Sequence, residues 1–355
     1  MFFFFITVKL NSLSALAFVK ILVGLPTFNN GASGYTIRRT LEALTDQSYH
    51  DFKLLIVYKP SSGDKTLDIV DEFRDKLDIE VKIQSDGFVE EAMNEIFKAS
   101  TDYDITLTTD DDAIPAKTWI KEHVQLHKNH EKIGITQGMV NPQEYECYEY
   151  LRFVKNLIGY YKPLTKELHN YAYVVNDMGL FVCKKPKLLS ATRNYEYIYT
   201  LGIAGVNMSF KSGQLIDGFT LPGYIKRGLR YETLLALYYI KQGFYSIIFN
   251  GGFVKHLERY SLTRSRDEVS KFMINIEDSL LPYGVHYYGF KINMYRLRLY
   301  ERLIKLYSIF RRTTLSRIYV IGLNLAIEAI ENNYKPKEVR DRLLEIEREV
   351  RARYG

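Results

Sequence analysis

The sequence has little cysteine, and this excludes two kinds of protein. Only Cys147 and Cys183 occur in 355 residues, too few for the disulfide framework that holds small secreted domains together. The separation of the two also matches no metal-ligand spacing. We therefore expect both cysteines to be buried or incidental thiols.

Long apolar runs are lacking as well. Beyond the N-terminal segment, no stretch reaches the length of about 18 apolar residues that a spanning helix needs. The N-terminal run Met1–Val8 is followed by Lys9 and Asn11 and has no basic region before it, so we do not expect a cleaved signal peptide. The sequence therefore predicts a soluble or peripheral cytoplasmic protein.

Strong charge of one sign is absent, although the basic residues are unevenly placed. The 48 Lys and Arg against 42 Asp and Glu give a net charge of +6, too small to indicate binding of a bulk polyanion. No groove-reading motif accompanies the charge, so nucleic acid is not expected as a partner. Many basic residues lie beyond about Phe290, and their helices either contact a membrane surface beside a lipid-linked acceptor or pack as a cap or dimer surface.

Strand and helix patterns alternate over the first 140 residues. A helix is predicted from Pro115 to about Asn129, and the intervals between the strands also show helical spacing. Such alternation predicts crossover connections and an α/β fold with a mainly parallel, Rossmann-like sheet flanked by helices. The predicted strands are Lys20–Leu25, Lys53–Tyr58, Ile79–Gln84, Asp104–Thr109 and Ile133–Val140.

The pattern is less regular in the second half of the chain. We predict a strand over Tyr173–Cys183, a glycine-punctuated segment from Gly202 to Gly223 and a helix from about Tyr231 to Gln242, and we assign acceptor recognition to this region. From Asp267 onward the chain reads as amphipathic helices, including Leu315–Ile330 and Lys337–Arg353.

Three adjacent aspartates follow the fourth predicted strand. Alternate residues of an extended segment project to the same side, so Asp110 and Asp112 can share a target while Asp111 points elsewhere. Adjacent carboxylates repel each other unless a cation or a set of donors neutralises them, and Mg²⁺ and Mn²⁺ prefer oxygen ligands. The alternative is an acidic turn in which Asp112 caps the helix after Pro115.

Several segments occur in an order that resembles family 2 of the inverting glycosyltransferases, which have the GT-A fold. The resemblance covers about residues 20 to 260 and continues through the Gly-Phe turn at Asp217-Gly218-Phe219 to the helix that carries Glu232. The segments are Gly24-Leu25-Pro26-Thr27-Phe28-Asn29, Gly87 with Ala92-Met93-Asn94, Thr109 through Asp112, and Ala204 through Lys211.

The resemblance implies roles for two residues of the second half. Counting back from Gly243 aligns Glu232 with the acidic residue taken as the catalytic base, which removes the proton of an acceptor hydroxyl. His256 is implied either to bind the diphosphate or to complete a metal shell. The alternatives are that Glu232 is an acid at a helix N-terminus and that His256 is structural.

The resemblance also implies a nucleotide-sugar donor, most simply a UDP- or GDP-sugar, bound with Mn²⁺ or Mg²⁺. Its base and ribose are expected against residues after the first two strands, and Asn94 and Asp111 belong to the same expected site. The residues after those strands are Pro26, Thr27, Asn29, Lys59 and Asp64.

The chain departs from the family pattern at three positions, and these departures leave the nucleotide base open. Lys59 stands where relatives have an aspartate that reads the base, Met93 stands where an arginine is frequent, and Tyr231 replaces the first member of an acidic pair. A mobile basic loop of Lys226, Arg227 and Arg230 is a further hypothesis for contact with the phosphates.

The expected organisation is an N-terminal extension (1–19), a GT-A domain (20–260) and a C-terminal helical region (261–355). Within the domain, residues 20–140 would bind the nucleotide sugar and 141–260 the acceptor, which is a glycan, a lipid-linked acceptor or a protein. Two other functions stay open: a sugar-phosphate nucleotidyltransferase, although the loop from Asn29 to Gly34 lacks its basic residues, and a non-catalytic carbohydrate-binding module.

Overall fold

A computed structural model describes residues 19–85, 87–141, 158–257, 267–311 and 314–354. The N-terminal run Met1–Val8 and Cys147 lie outside the described residues.

A large sheet forms the centre of the molecule. Its strands are β1 (Ile21–Phe28), β2 (Lys53–Lys59), β3 (Asp78–Ile83), β4 (Ile105–Thr109), β6 (Ile133–Gln137), β10 (Tyr197–Tyr199), β11 (Asn207–Lys211) and β12 (Tyr245–Phe249). They lie in the order β10-β12-β6-β11-β4-β1-β2-β3. The pairs of β1 with β2 and β4, of β2 with β3 and of β6 with β12 are parallel, whereas β11 runs antiparallel between β4 and β6. The predicted α/β class is confirmed.

Two smaller sheets differ from the predicted helix at Pro115 and from the predicted strand Tyr173–Cys183. β5 (Ala113–Pro115), β7 (Val140–Asn141) and β13 (Val254–His256) form one of them. Pro115 therefore lies in a strand opposite Val254 and does not open a helix. The predicted strand Tyr173–Cys183 is instead a hairpin of β8 (Tyr173–Val175) and β9 (Phe181–Cys183), because the Asn176 carboxamide oxygen accepts the backbone N–H groups of Met178 and Leu180 and stabilises a turn.

Helices cover both faces of the sheet and make up the C-terminal region. They are α1 (Ile37–Thr45), α2 (Thr66–Asp71), α3 (Val89–Ser100), α4 (Trp119–Asn129), α5 (Pro186–Ser190), α6 (Tyr231–Lys241), α7 (Glu268–Ser279), α8 (Leu281–Tyr287), α9 (Met294–Arg311), α10 (Thr314–Glu331) and α11 (Pro336–Tyr354). The predicted helices near 231–242, 315–330 and 337–353 are confirmed within a residue at each end.

Alternate side chains of β1 point to opposite faces of the sheet and join two different core clusters. Ile21, Val23 and Leu25 join one cluster, with α1 and α4, while Leu22 joins the other, with α3 and α6. The second cluster continues without a break into α7, α8, α10 and α11, for example through Leu323. Much of the C-terminal region therefore shares a core with the sheet.

Among the helices of the described ranges, we find none with both the length and the apolar character that crossing a bilayer requires. Cys183 is disulfide-bonded, so the expectation of a buried or incidental thiol is wrong for this residue. Sequence spacing does not reveal which cysteines a fold brings within bonding distance.

Candidate active site

The aspartates follow a strand in the middle of the sheet. β4 lies between β1 and β11 and is buried along its whole length. The chain then turns toward β5, which leaves the Asp110 side chain 41% exposed and the Asp112 side chain 3% exposed. Because ligands of such sheets collect at the carboxyl ends of parallel strands, the two carboxylates lie where a substrate would bind.

Strand pairing brings His256 to these carboxylates across more than a hundred residues of sequence. In the register of β13 with β5, His256 lies opposite Ala113, and the backbone N–H of Leu257 donates to the carbonyl of Asp112 at 2.8 Å. The His256 Nε2 atom is 3.1 Å from Asp112 Oδ1 and 3.8 Å from Asp110 Oδ2. The small sheet therefore fixes the imidazole against both carboxylates.

These three side chains fit a divalent cation. One ligand atom from each of Asp110, Asp112 and His256 lies within 4.8 Å of the others. Two carboxylates and an imidazole suit Mn²⁺ or Mg²⁺ and leave coordination positions for phosphate oxygens and water. The alternative in which Asp112 caps a helix after Pro115 is not supported, since α4 begins only at Trp119.

Asp111 points away from this cluster. Its Oδ2 atom accepts hydrogen bonds from Thr27 Oγ1 and, at 2.8 Å, from Asn30 Nδ2. The Asn30 carboxamide oxygen in turn accepts the N–H of Ile37 at the start of α1. Asp111 thereby ties the end of β4 to the end of β1, and sequence reasoning had not identified Asn30.

Glu232 lies at the start of α6, where its carboxyl group is surrounded by protein while the residue keeps some contact with solvent. Burial raises the pKa of this carboxyl group to about 7, and the charge of Asp110 raises it further. Hydrogen bonds from backbone N–H groups, including that of Gly205, and the charge of Arg230 act in the opposite direction. The Gly205 N–H donates to Glu232 Oε1 at 3.0 Å. A carboxyl group with a pKa near 7 suits a general base.

Gly205 connects Glu232 to the strand that carries the aspartates. Its carbonyl accepts a hydrogen bond from Thr108 Oγ1 at 2.7 Å, one residue before the end of β4. A Cβ atom at this position would lie 1.9 Å from the Tyr231 hydroxyl and 3.2 Å from Glu232 Oε1. Only glycine allows this close approach. The segment containing Gly205 was recognised in the sequence, but its contact with the base was not.

Arg230 fixes the start of α6 in a strained conformation. Its φ of 64° is in the left-handed region, which is unfavourable for a residue with a side chain. The guanidinium is held by Asp278 of α7, with Nε 2.6 Å from Oδ1, and stacks 3.9 Å from the centre of the Phe181 ring. These contacts hold Arg230 in place, and with it the start of the helix that carries Glu232.

The hypothesis of a mobile basic loop is wrong for the residues before Arg230. Arg227 is buried, and its guanidinium pairs with Glu277 of α7 and with Glu347 of α11. Lys226 is 2.6 Å from Glu347. Carboxylates that are distant in sequence hold this loop, which the pattern of basic residues alone does not reveal.

The expected nucleotide-binding residues lie along the ends of β1 and β2. Pro26 and Thr27 are in β1, and Asn29 follows it with a φ of 49° and accepts a hydrogen bond from Ser61 Oγ at 3.3 Å. Lys59, the last residue of β2, places its Nζ 4.5 Å from the centre of the exposed Phe28 ring. An aromatic face and an ammonium group thus adjoin each other at this edge.

Two other expected nucleotide-binding residues make internal contacts. Asp64 Oδ1 accepts both the N–H and the hydroxyl of Thr66 at the start of α2. The Asn94 carboxamide exchanges two hydrogen bonds with the backbone of Leu221, at 2.7 and 3.2 Å. Their contact with a nucleotide stays a prediction.

Residues 22–184 match the family described as "Glycosyl transferase family 2". No curated protein matches the chain significantly.

Solved structures were compared as well. S. aureus TarS is similar to 74% of this chain over 39% of its own length, at 13% identity and a TM-score of 0.46. Its 1–349 fragment matches 89% of this chain over 92% of its own length, at 14% identity and a TM-score of 0.46. Mannosyltransferase PcManGT from Pyrobaculum calidifontis, in complex with GDP-Man and Mn²⁺, matches 89% of this chain over 88% of its own, with the same identity and TM-score. The chain thus spans less than half of the full TarS structure.

Proposed function

We propose that the chain, whose residues 22–184 match the family described as "Glycosyl transferase family 2", is an inverting, metal-assisted glycosyltransferase. It would transfer a sugar from a nucleotide-sugar donor to an acceptor hydroxyl. The observation that carries the proposal is the proximity of two groups beyond the end of β4, which is close enough for Asp110 to raise the pKa of Glu232. These are the cluster of Asp110, Asp112 and His256 and the carboxyl group of Glu232.

In this proposal Asp110, Asp112 and His256 hold one Mn²⁺ or Mg²⁺ ion. The bound ion supplies positive charge against the diphosphate of the donor. His256 is fixed by the pairing of β13 with β5, so the cluster needs little rearrangement to accept a cation. Either ion suits a ligand set of two carboxylates and an imidazole.

Glu232 acts as the general base. Direct displacement at the anomeric carbon requires one group that removes the proton of the attacking hydroxyl. With a pKa raised to about 7 by burial, the carboxylate is present at neutral pH and still binds a proton well. The acceptor is a hydroxyl of a glycan, a lipid-linked molecule or a protein, and it would approach from the side of residues 141–260.

The donor nucleotide lies along the ends of β1 and β2 in this proposal. Pro26, Thr27 and Asn29 line the site, and Lys59 beside Phe28 offers a cation and an aromatic face to the base or phosphates. We assign Asp64, Asn94 and Asp111 to the same donor site, and the internal hydrogen bonds described above fix their side chains. The donor class is a UDP- or GDP-sugar.

A donor screen tests the proposal. The protein is incubated with Mn²⁺ or Mg²⁺ and a panel of UDP-, GDP- and dTDP-sugars, and release of the nucleotide is measured. Metal-dependent release from one donor is expected, with a loss of about a hundredfold or more in Asp112→Asn and Glu232→Gln. Asp102→Asn and Glu349→Gln, at exposed positions away from the site, serve as matched controls and should retain activity.

Two results would refute the proposal. One is release that both site variants retain. The other is the absence of release from every donor together with no metal-dependent nucleotide binding by calorimetry, which would favour a carbohydrate-binding module.

A further inference from the structure

Helix α9 exposes an apolar stripe that the transferase site does not use. At about 100° per residue, Leu306, Ile309 and Phe310 fall on one face of the helix, and Tyr295 lies on the same face near its start. Phe310 is 83% exposed, Tyr295 78%, Ile309 57% and Leu306 53%. We call these four side chains the α9 stripe; at about 1.5 Å per residue it runs for about 22 Å.

The opposite face of α9 is part of the core. Leu297, Tyr300 and Ile304 are buried in the cluster shared with α10 and the sheet. The exposed stripe is therefore not a consequence of a loosely packed helix, since the inner face of the same helix is fully engaged. Apolar side chains of this size, gathered in one exposed area, mark a binding surface.

The surroundings of the α9 stripe are strongly basic. Exposed Arg302 and Lys305 lie on or beside the stripe, and exposed Arg317 follows at the start of α10, where Leu315 is 52% exposed. The single acid between residues 291 and 327 is Glu301, which is buried. The other basic residues of that segment are Lys291, Arg296, Arg298, Arg311 and Arg312, of which Arg296 pairs with Asp177 and Arg298 with Glu331.

We propose that the α9 stripe and its flanking basic residues bind the chain to the surface of an anionic lipid bilayer. Apolar and aromatic side chains would enter the boundary between headgroups and acyl chains, while Arg302, Lys305 and Arg317 contact lipid phosphates. Helix α9 would lie in the plane of the membrane, since the described helices do not meet the requirements for spanning one.

The positive charge of the surface favours an anionic bilayer over a second copy of the chain as the binding partner. A symmetric dimer through the α9 stripe would place one basic surface against the same basic surface, which is unfavourable. The exposed apolar side chains distinguish it from a soluble polyanion, which the basic residues would bind without Leu306, Ile309 or Phe310. A bilayer with anionic headgroups satisfies both features of the surface.

Vesicle sedimentation tests the proposal with the full chain and without any sugar donor, so its outcome is independent of the transferase activity. Vesicles of phosphatidylcholine with about one-third phosphatidylglycerol are compared with pure phosphatidylcholine. The protein should bind the anionic vesicles at least about tenfold more tightly, and binding should weaken with salt. Exclusive binding to neutral vesicles, or binding to neither, would overturn the proposal.

Two variants separate the apolar and basic contributions. Leu306→Ser with Phe310→Ser should weaken binding about tenfold or more, and Arg302→Gln with Lys305→Gln should weaken it by a similar factor and reduce the salt dependence. Tyr195→Ser and Arg193→Gln, which are exposed near β10, are the matched controls and should bind as the wild type does.

Folding and self-association are measured on the same samples. Circular dichroism should show unchanged folding, because all substituted side chains are exposed. Vesicle binding that neither double variant weakens would overturn the proposal. A wild-type dimer that Leu306→Ser with Phe310→Ser converts to a monomer, as seen by sedimentation velocity, would also overturn it, in favour of a second copy as the occupant.

Discussion

Glu232→Gln should make the protein more stable at alkaline pH, although it should abolish the activity. Burial raises the pKa of Glu232 from 4.5 to about 7, so the folded protein binds this proton more tightly than the unfolded chain does. The stabilising effect of the proton is complete below about pH 4.5 and is lost as the pH rises through about 7. Above that range the wild type carries an ionised, buried carboxylate that costs at most about 3 kcal/mol.

The glutamine variant avoids this cost. Its carboxamide oxygen can still accept the Gly205 N–H, as Glu232 Oε1 does at 3.0 Å, and it does not ionise. We expect the free energy of unfolding of Glu232→Gln to equal that of the wild type near pH 4.5 and to exceed it by about 2 kcal/mol at pH 8.5, after allowance for partial contact with solvent.

Urea unfolding at a series of pH values measures this difference. A chelator is included because a bound cation beside Asp110 would itself lower the pKa of Glu232. Glu349→Gln, which removes an exposed carboxylate, is the control and should show no such pH dependence. A stability difference for Glu232→Gln that does not change between pH 4.5 and 8.5 would refute the reasoning.

Three other substitutions have defined outcomes. Asp112→Asn should weaken Mn²⁺ binding about tenfold or more in calorimetry, and unchanged affinity would exclude the cluster as the metal site. Gly205→Ala should destabilise the protein by about 1–3 kcal/mol in urea unfolding, because the new Cβ would lie 1.9 Å from the Tyr231 hydroxyl and 2.9 Å from the ring carbon that carries it. A variant as stable as the wild type would argue against that clash. Burial opposes ionisation of Glu347, but hydrogen bonds from Lys226 and Arg351 outweigh this effect and lower the pKa of Glu347 to about 2. Glu347→Gln should therefore lower the free energy of unfolding by about 3 kcal/mol at pH 7. That difference should shrink as the pH falls from 4.5 toward 2, and a constant difference would contradict the ion-pair account.

The sequence predicted those parts of the fold that depend on local patterns. Apolar runs identified β1, β2 and β4, and helical periodicity identified α6, α10 and α11. In each of these elements the spacing of the apolar residues within one segment matches the face that is buried, so that segment alone predicts the type of element. Pro115 was misread because proline at a predicted helix start and proline in a short strand look alike in sequence, and only the pairing with Val254 distinguishes them.

The candidate site was predictable where it depends on types of residue and their order. The adjacent aspartates, Glu232 and His256 were all chosen from the sequence, and the cluster of Asp110, Asp112 and His256 appears in the structure. The contacts that position them were not predictable, because they join distant segments. Gly205 meets Glu232 through a single N–H, and Arg227 is held by carboxylates of two later helices.

The anomeric configuration of the first product tests the central claim most directly. With a donor whose nucleotide the wild type releases, proton NMR follows the anomeric signal of the transferred or hydrolysed sugar before mutarotation. Direct displacement with Glu232 as the base predicts a product whose configuration is opposite to that of the donor, formed only with Mn²⁺ or Mg²⁺ present. Retention of configuration, or transfer that proceeds unchanged in a chelator, would contradict the account.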